Sequence, residues 1–242
     1  MSCRATPSEP CAVLLFYVYE PLADVEAERA WQLETARSIG LSGRLRVAAQ
    51  GLNGTLSGTA RALRTYSAAV SARLNECEID WKLSPAQSSE LFDTLSVRTV
   101  AEVVSLGVPA ELAPLSEAGR HLSPAEFHEE LLRASADASA DSPSTRIRMP
   151  VLLDARNVYE SRIGHFVVPG IETLRPPTRQ FSELPGWVDS QLEALRGRRV
   201  LMYCTGGVRC ETASAYLRHK GEGFADVVQL RGGIERLPSG PP

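Results

Sequence analysis

The sequence is short of the features that define several classes of protein. No apolar run approaches the ~20 residues needed to span a bilayer, so we expect no membrane helix. Five cysteines are too few for a disulfide framework, and their odd number fits a reducing compartment, which predicts a cytoplasmic protein. With four histidines and no Cys-x2-Cys pair, the sequence argues against a zinc site, and we expect no metal.

Charge is unevenly distributed along the chain. The formal net charge of −3 argues against a generally basic nucleic-acid binder. However, the stretch from Leu41 to Asn75 contains five arginines and no acidic residue. This pattern is typical either of solvated helix and loop faces or of a positive surface that attracts phosphates. We expect Arg44, Arg61 and Arg64 to be exposed, and they are candidate RNA-binding residues.

The first half of the chain predicts a ferredoxin-like (acylphosphatase-like) α+β domain at residues 12–108. Its segments alternate in the order strand, helix, strand, strand, helix, strand. Asp24 is placed to cap the first helix, and Thr59 or Ala60 begins the second. Gly51-Leu52-Asn53-Gly54 predicts the turn of a β-hairpin, because glycine tolerates positive φ.

The composition changes between residues 109 and 148, which predicts a linker. Ser123-Pro124-Ala125-Glu126 has the capping-box pattern of a helix start, with proline at the first helical position. We expect this helix to cover residues 123–133 and to serve as the first helix of the domain that follows. Ala134–Thr145 is rich in Ala, Ser and Asp, which predicts a flexible insertion.

Residues 149–237 predict an α/β domain with a central parallel sheet. Short apolar strands such as Val151–Leu153 and Val200–Tyr203 alternate with helical segments, as in parallel sheets covered on both faces. Reactive groups collect at the carboxyl ends of such strands. Asp154 and Cys204 each follow a strand end, so we expect them to share one edge of the sheet.

Cys204 is the candidate catalytic residue. It lies between the apolar strand Val200–Tyr203 and a glycine-containing turn that leads into a helix. Backbone N–H groups in such a turn stabilise an anion, so we expect the pKa of the Cys204 thiol to be depressed. The predicted active-site loop continues with Thr205, Gly206, Gly207, Val208 and Arg209.

Three further residues are candidate auxiliary groups. Cys210 can resolve an oxidised Cys204 by disulfide exchange, or it can be an ordinary buried helix residue. Asp154 and Arg156 can orient the loop from the neighbouring strand end. The favoured alternative is a structural ion pair with Glu160, since charges at such an edge are often paired.

The spacing of Cys204 and Arg209 bears on the class of chemistry. Phosphatases of this architecture have five residues between the cysteine and the arginine, whereas four lie between Cys204 and Arg209. The loop is therefore predicted to be narrower and to suit a sulfur atom carried on the cysteine better than a whole phosphate.

Four segments together resemble a rhodanese domain: Asp154–Asn157 with Glu160, Gly164-His165-Phe166, Cys204–Arg209 and Gln229–Ile234. With GLNGTLSG at 51–58, the chain more closely resembles the bacterial-type tRNA uridine hydroxylases, in which a ferredoxin-like domain precedes the rhodanese domain. Members of that family normally continue with a helix and a cysteine-rich tail. This sequence stops at Pro242, so the expectation is a protein without that tail.

The resemblance implies oxygen-dependent hydroxylation of the wobble uridine of tRNA to 5-hydroxyuridine, with Cys204 essential. It implies tRNA as partner, molecular oxygen as co-substrate and no tightly bound cofactor. One alternative is a sulfurtransferase, in which Cys204 takes sulfur from a sulfane donor such as thiosulfate and holds it as a persulfide. A second is a non-catalytic binding module, against which the intact cysteine and loop glycines argue.

Overall fold

Residues 9–75, 77–138 and 149–236 are described by the computed structural model, which divides the chain into two units, Met1–Val103 and Val104–Pro242. The described part of each unit contains one five-stranded sheet. The first unit has the ferredoxin-like (acylphosphatase-like) arrangement and the second has a parallel sheet, so the predicted fold class is confirmed.

The described residues of the first unit form five strands and two helices. In chain order these are β1 (Cys11–Val18), α1 (Val25–Ser38), β2 (Ser42–Ala48), β3 (Gly51–Thr59), α2 (Ala60–Arg73), β4 (Lys82–Pro85) and β5 (Leu95–Thr99). The strand order is β4-β1-β3-β2-β5, antiparallel except for the parallel pair of β2 and β5. The strand β5 therefore extends the predicted four-stranded core.

Local signals fix the two helices of this unit. The Asp24 side chain accepts the Ala27 N–H at 2.9 Å and caps the start of α1. The helix ends shortly before Gly40, which has a φ of +73°. The Thr59 hydroxyl accepts the Ala62 N–H at 3.2 Å and begins α2 in the same way. The cap at Asp24 and the predicted start of the second helix are both confirmed.

The predicted hairpin turn at Gly51–Gly54 is wrong, because these residues lie within β3. The loop between β2 and β3 is only Ala49–Gln50. Gly51 has a φ of +142°, and a Cβ atom there would strike the carbonyl oxygen of Val18 on β1. Close approach of the strands, rather than turn geometry, therefore requires glycine at this position.

The described residues of the second unit alternate between strands and helices. They form β6 (Arg120–Leu122), α3 (Pro124–Ala138), β7 (Val151–Asp154), α4 (Val158–Ile163), β8 (Glu172–Leu174), α5 (Leu184–Ser190), α6 (Leu192–Leu195), β9 (Val200–Tyr203), α7 (Val208–Arg218) and β10 (Val227–Leu230). All strand pairs are parallel, in the order β6-β10-β9-β7-β8.

Short 3-10 helices supplement these elements in both units. They lie at Ser88–Glu90, Ala110–Leu112, Leu115–Glu117, Phe181–Glu183, Glu222–Phe224 and Ile234–Arg236.

Helices cover both faces of the second sheet. On β9, Met202 packs in the core with Val188 of α5, whereas Leu201 and Tyr203 pack in a second core with Phe127 of α3. This alternation follows from the two-residue period of a strand, and burial on both faces explains why the strand is apolar throughout. The carboxyl ends of β7 and β9 consequently lie side by side.

The helix α3 is longer than predicted. Ser123 and Glu126 exchange the capping hydrogen bonds that the sequence indicates, at 2.8 and 3.3 Å. The helix then continues to Ala138 rather than ending near residue 133, because Ala134 is buried in the core beside Phe127. The predicted flexible insertion is therefore wrong for Ala134–Ala138, and its remainder lies outside the described residues.

A pair of glycine substitutions in the first unit tests the close-packing role of Gly51. Gly51→Ala adds a backbone clash to an unfavourable φ, and should lower the free energy of unfolding by roughly 2–4 kcal/mol. Gly40→Ala is the matched control: its φ is also positive, but a Cβ atom there meets nothing within 4 Å, so about 1–2 kcal/mol is expected. Urea denaturation followed by pulsed hydrogen-exchange mass spectrometry reports each unit separately. Equal losses in the two variants would contradict the close-packing explanation.

Candidate active site

Cys204 lies at the carboxyl end of β9, where the chain turns sharply into α7. Gly207, with a φ of +95°, makes this turn possible, and its N–H donates to the Cys204 Sγ at 3.2 Å. The helix α7 begins at the next residue. The Cys204 side chain has no exposed surface. Its sulfur therefore faces backbone N–H groups in a site shielded from bulk water.

The surroundings of Cys204 favour its ionised form. Burial by itself raises the pKa of the thiol. A hydrogen bond from the Cys210 thiol, the positive charge of Arg209 and the backbone N–H groups of Cys210 and Arg209 outweigh this effect, and they lower the pKa to about 6. Cys204 is therefore largely a thiolate at neutral pH, in the direction that the sequence predicts.

Cys210 lies on the buried side of α7. Burial raises the pKa of its thiol well above the ordinary value, and so do its hydrogen bond to Cys204 and the negative charge there. It therefore remains a protonated donor while Cys204 is ionised. Cys210 is therefore a buried helix residue whose thiol bonds the Cys204 sulfur, and its disulfide exchange with Cys204 stays a prediction.

Glu160 holds the active-site loop at both ends. Its two carboxylate oxygens each accept a bond from Arg209 at 2.7 Å, and one also accepts from the Thr205 hydroxyl at 2.9 Å. The Arg209 guanidinium donates to Thr205 as well, at 2.9 Å. Burial raises the pKa of Glu160, but the bonds and charge of Arg209 outweigh it and the net shift is downward. The carboxylate thus fixes Arg209 beside the loop.

Asp154 and Arg156 pair with each other, and the predicted ion pair with Glu160 is wrong. The Arg156 Nε and Nη2 atoms donate to the Asp154 carboxylate at 2.8 and 2.7 Å, and the Asp154 side chain has no exposed surface. Glu160 is occupied by Arg209 instead. The expected proximity of Asp154 to the Cys204 strand is confirmed by its register opposite Tyr203 on β9.

The Asp154–Arg156 pair also anchors the loop that follows α4. Arg156 Nη2 donates to the carbonyl oxygen of Gly164 at 2.6 Å. The Tyr203 hydroxyl donates to Asp154 at 3.0 Å and accepts the Phe166 N–H at 3.2 Å. Sequence reasoning missed the role of Tyr203. The available signal was a tyrosine in a fully buried strand, because a buried hydroxyl requires a partner.

The segment after β10 completes the site. The Ile234 N–H donates to the Cys204 carbonyl oxygen at 3.0 Å, and the Glu235 N–H donates to that of Thr205 at 3.2 Å. A Cβ atom at Gly233, whose φ is +66°, would collide with both carbonyl oxygens. Glycine is therefore required at position 233 for this close approach.

The N-terminal arginines are exposed as predicted, but they do not form one surface. Arg44 projects from β2 on the face opposite Leu45, which is packed against α2. Arg61 and Arg64 lie on the outer side of α2, on the other side of the sheet. Arg61 also pairs with Glu9 at 2.7 Å.

Within the described residues, no three His, Cys, Asp or Glu side chains are grouped so as to hold a metal ion. Across the same residues, no helix has the length and hydrophobicity needed to cross a membrane.

Comparison with known families agrees with this architecture. Residues 11–103 match the UPF0176 acylphosphatase like domain, and residues 129–237 match the rhodanese-like domain. The chain therefore contains a UPF0176 acylphosphatase-like domain followed by a rhodanese-like domain. The Cys204 loop and the Asp154–Arg156 pair both lie within the matched rhodanese region.

Curated relatives align with nearly the whole of this chain, across both matched domains. It is 41% identical to rhodanese-like domain-containing protein 6 of Arabidopsis thaliana, over 98% of this chain and 42% of that protein. It is 39% identical to the tRNA uridine(34) hydroxylase of Bacillus pumilus, over 92% of this chain and 62% of the relative. It is 38% identical to the tRNA uridine(34) hydroxylase of Enterococcus faecalis, over 95% of this chain and 66% of that relative. The chain thus spans less than two thirds of the length of these relatives.

The Glu160 carboxylate generates a pH-dependent prediction. Since the folded-state pKa of Glu160 is lowered, its stabilisation is present above the unfolded pKa of ~4.3 and is lost as pH falls through the folded value. We expect Glu160→Gln to lower the free energy of unfolding by about 2 kcal/mol at pH 7, and by much less at about pH 3. Urea titrations of both proteins at the two pH values measure this difference.

Glu193→Gln is the matched control. Its carboxylate pairs with Arg196, but it is 89% exposed, so little change is expected at either pH. A loss for Glu160→Gln that is equal at the two pH values would show that the ion pair does not stabilise the fold.

Proposed function

We propose that this protein is an oxygen-dependent tRNA uridine hydroxylase, which converts the wobble uridine to 5-hydroxyuridine with Cys204 as the essential residue. The observation that carries the proposal is the 38–39% identity to proteins named tRNA uridine(34) hydroxylase, over 92–95% of this chain. That similarity extends through both domains and includes the Cys204 loop.

The geometry of the loop supports Cys204 as the reacting group. The thiolate is formed without a separate base, because the loop N–H groups, Cys210 and Arg209 together stabilise the anion. Glu160 and Asp154 do not contact the sulfur; they are positioning residues that hold Arg209 and the neighbouring strand end. A uridine that reacts here must leave the base stack, since chemistry on a nucleobase requires an accessible ring.

No tightly bound cofactor is proposed, and molecular oxygen is the co-substrate. Replacing C5–H by C5–OH places one oxygen atom on the base and releases the other as water. The reaction then consumes two electrons and two protons. A thiolate and a thiol supply both electrons and one proton on forming a disulfide, and water supplies the second proton. Cys210, hydrogen-bonded to Cys204, is the second thiol for such a pair and the auxiliary group of the site.

The macromolecular partner in this proposal is tRNA, and the compartment is the cytoplasm. Arg44, Arg61 and Arg64 remain candidates for phosphate contact, as separate exposed charges on two sides of the N-terminal unit. Contacts of this kind position an RNA without reading its sequence.

The second candidate is a sulfurtransferase that forms a Cys204 persulfide. The four-residue spacing between Cys204 and Arg209 favours it, together with the N–H groups that surround the sulfur. A terminal sulfur carries less charge and bulk than a phosphate, and the narrow loop suits it. The sulfur itself would be transferred from a sulfane donor to an acceptor nucleophile.

Nucleoside mass spectrometry separates these candidates. Deleting the gene should remove 5-hydroxyuridine from cellular tRNA, and the wild-type gene should restore it. Cys204→Ser should fail to restore it while leaving the fold intact, because the hydroxyl does not ionise at neutral pH. Cys77→Ser, which changes a half-buried cysteine of the N-terminal unit, is the control and should restore the nucleoside fully.

Unchanged 5-hydroxyuridine in the deletion strain would refute the hydroxylase proposal. If the purified protein then converted thiosulfate and cyanide to thiocyanate, the sulfurtransferase would replace it. If neither activity were detected, the non-catalytic binding module would be the remaining candidate.

A further inference from the structure

Three exposed apolar side chains lie on α4 and on the loop that follows it, a segment bonded to the Cys204 loop through Glu160. The exposed fractions are 56% for Tyr159, 91% for Ile163 and 80% for Val167. Tyr159 and Ile163 are four residues apart on α4 and therefore share one face of that helix. Single exposed apolar residues are common, but three within nine positions form a patch that needs an explanation.

The same surface carries positive charge, and a carboxylate bonded to its backbone is that of Glu183, which accepts the Arg179 N–H at 2.7 Å. Arg162, Arg175 and Arg179 are all exposed, and no described carboxylate forms an ion pair with any of them. The two acidic residues in the 159–179 stretch, Glu160 and Glu172, are neutralised by Arg209 and Arg198. The patch therefore presents aromatic, aliphatic and cationic groups together, which is the composition of single-stranded nucleic-acid sites.

Hydrogen bonds hold this surface next to the reactive sulfur. Glu160, on α4, binds both Thr205 and Arg209 of the Cys204 loop. The loop carrying Val167 is fixed to β9 by the bond from the Phe166 N–H to Tyr203. The Val158 N–H donates to the Thr178 carbonyl oxygen at 2.8 Å, which brings the segment of Arg175 and Arg179 to the start of α4.

Tyr159 is oriented for contact with a ligand. Its hydroxyl accepts the Asn157 Nδ2–H at 2.8 Å, and Asn157 is itself buried at the start of α4. The ring is thus restrained at its polar end while more than half of its surface is open. A restrained, exposed tyrosine is a platform on which a nucleobase stacks at small entropic cost.

We infer that the patch formed by Tyr159, Arg162, Ile163, Val167, Arg175 and Arg179 binds the single-stranded loop of the RNA substrate. The inference rests on the proposed function, and it names the surface that presents the target base to Cys204. Tyr159 stacks on an unpaired base, Ile163 and Val167 cover its neighbour, and the three arginines contact the flanking phosphates. Glu160 and Glu172 form ion pairs with Arg209 and Arg198, so they do not repel the RNA backbone.

Binding of an anticodon stem-loop RNA with an unmodified uridine tests the inference directly. With the full-length protein, Tyr159→Ala should weaken binding roughly tenfold, in the range of one lost stacking contact. Arg162→Gln should reduce the slope of log Kd against log salt by about one unit, as expected for one phosphate contact. Fluorescence anisotropy at several salt concentrations measures both quantities.

Matched controls lie elsewhere on the same unit. Leu132→Ala changes an apolar side chain of α3 that is 58% exposed, and Arg196→Gln changes an exposed arginine at the opposite end of β9 from Cys204. Both should bind the RNA like wild type. An unchanged rate of Cys204 alkylation in Tyr159→Ala shows that the catalytic loop is intact in that variant.

The outcomes distinguish this inference from the proposed function. If Tyr159→Ala and Arg162→Gln bind the RNA like wild type, the surface is wrong, whether or not cells contain 5-hydroxyuridine. If binding is lost as expected but the wild-type gene does not restore 5-hydroxyuridine, the RNA surface stands and the proposed reaction fails. RNA binding that weakens equally in the controls would also overturn the inference.

Discussion

The site depends on holding a negative charge on a sulfur atom that has no contact with bulk water. An isolated buried thiol resists ionisation, so the loop must supply compensating groups, and here they are the Gly207 N–H, the Cys210 thiol and the Arg209 guanidinium. Arg209 contributes only while it remains beside the loop. Glu160 holds it there with two 2.7 Å bonds, so one carboxylate on the neighbouring helix organises the Cys204 loop.

The parallel sheet is what brings these groups together. Glu160 and Arg156 follow β7, and Cys204 and Arg209 follow β9, and the two strands are adjacent. The buried Tyr203–Asp154–Arg156 cluster fixes the same pair of strand ends and extends to the loop at Gly164. The surface of α4 and its loop consequently lies beside the Cys204 loop, because both are bonded to the same edge of the sheet.

The sequence predicts features that depend on local chemistry and on strand period. The helix caps at Asp24 and Thr59, the order of the strands and the position of Cys204 at a strand end are of this kind. Features that depend on which groups meet in space were not predictable. Glu160 pairs with Arg209 rather than with Arg156, which is nearer in the sequence. Gly51 is required by the close approach of β1 rather than by a turn. An acid-free stretch likewise gave no indication that its arginines point to opposite sides of a sheet.

Ionisation of Cys204 in the folded protein is the central claim, and its pH-dependent alkylation tests it most directly. Only the thiolate reacts at an appreciable rate, so the rate with iodoacetamide, followed by mass spectrometry of the Cys204 peptide, rises as the thiol ionises. The structure predicts a midpoint near pH 6 for Cys204, with Cys210 unreactive over the same range. A midpoint at or above the ordinary ~8.5 would contradict the account.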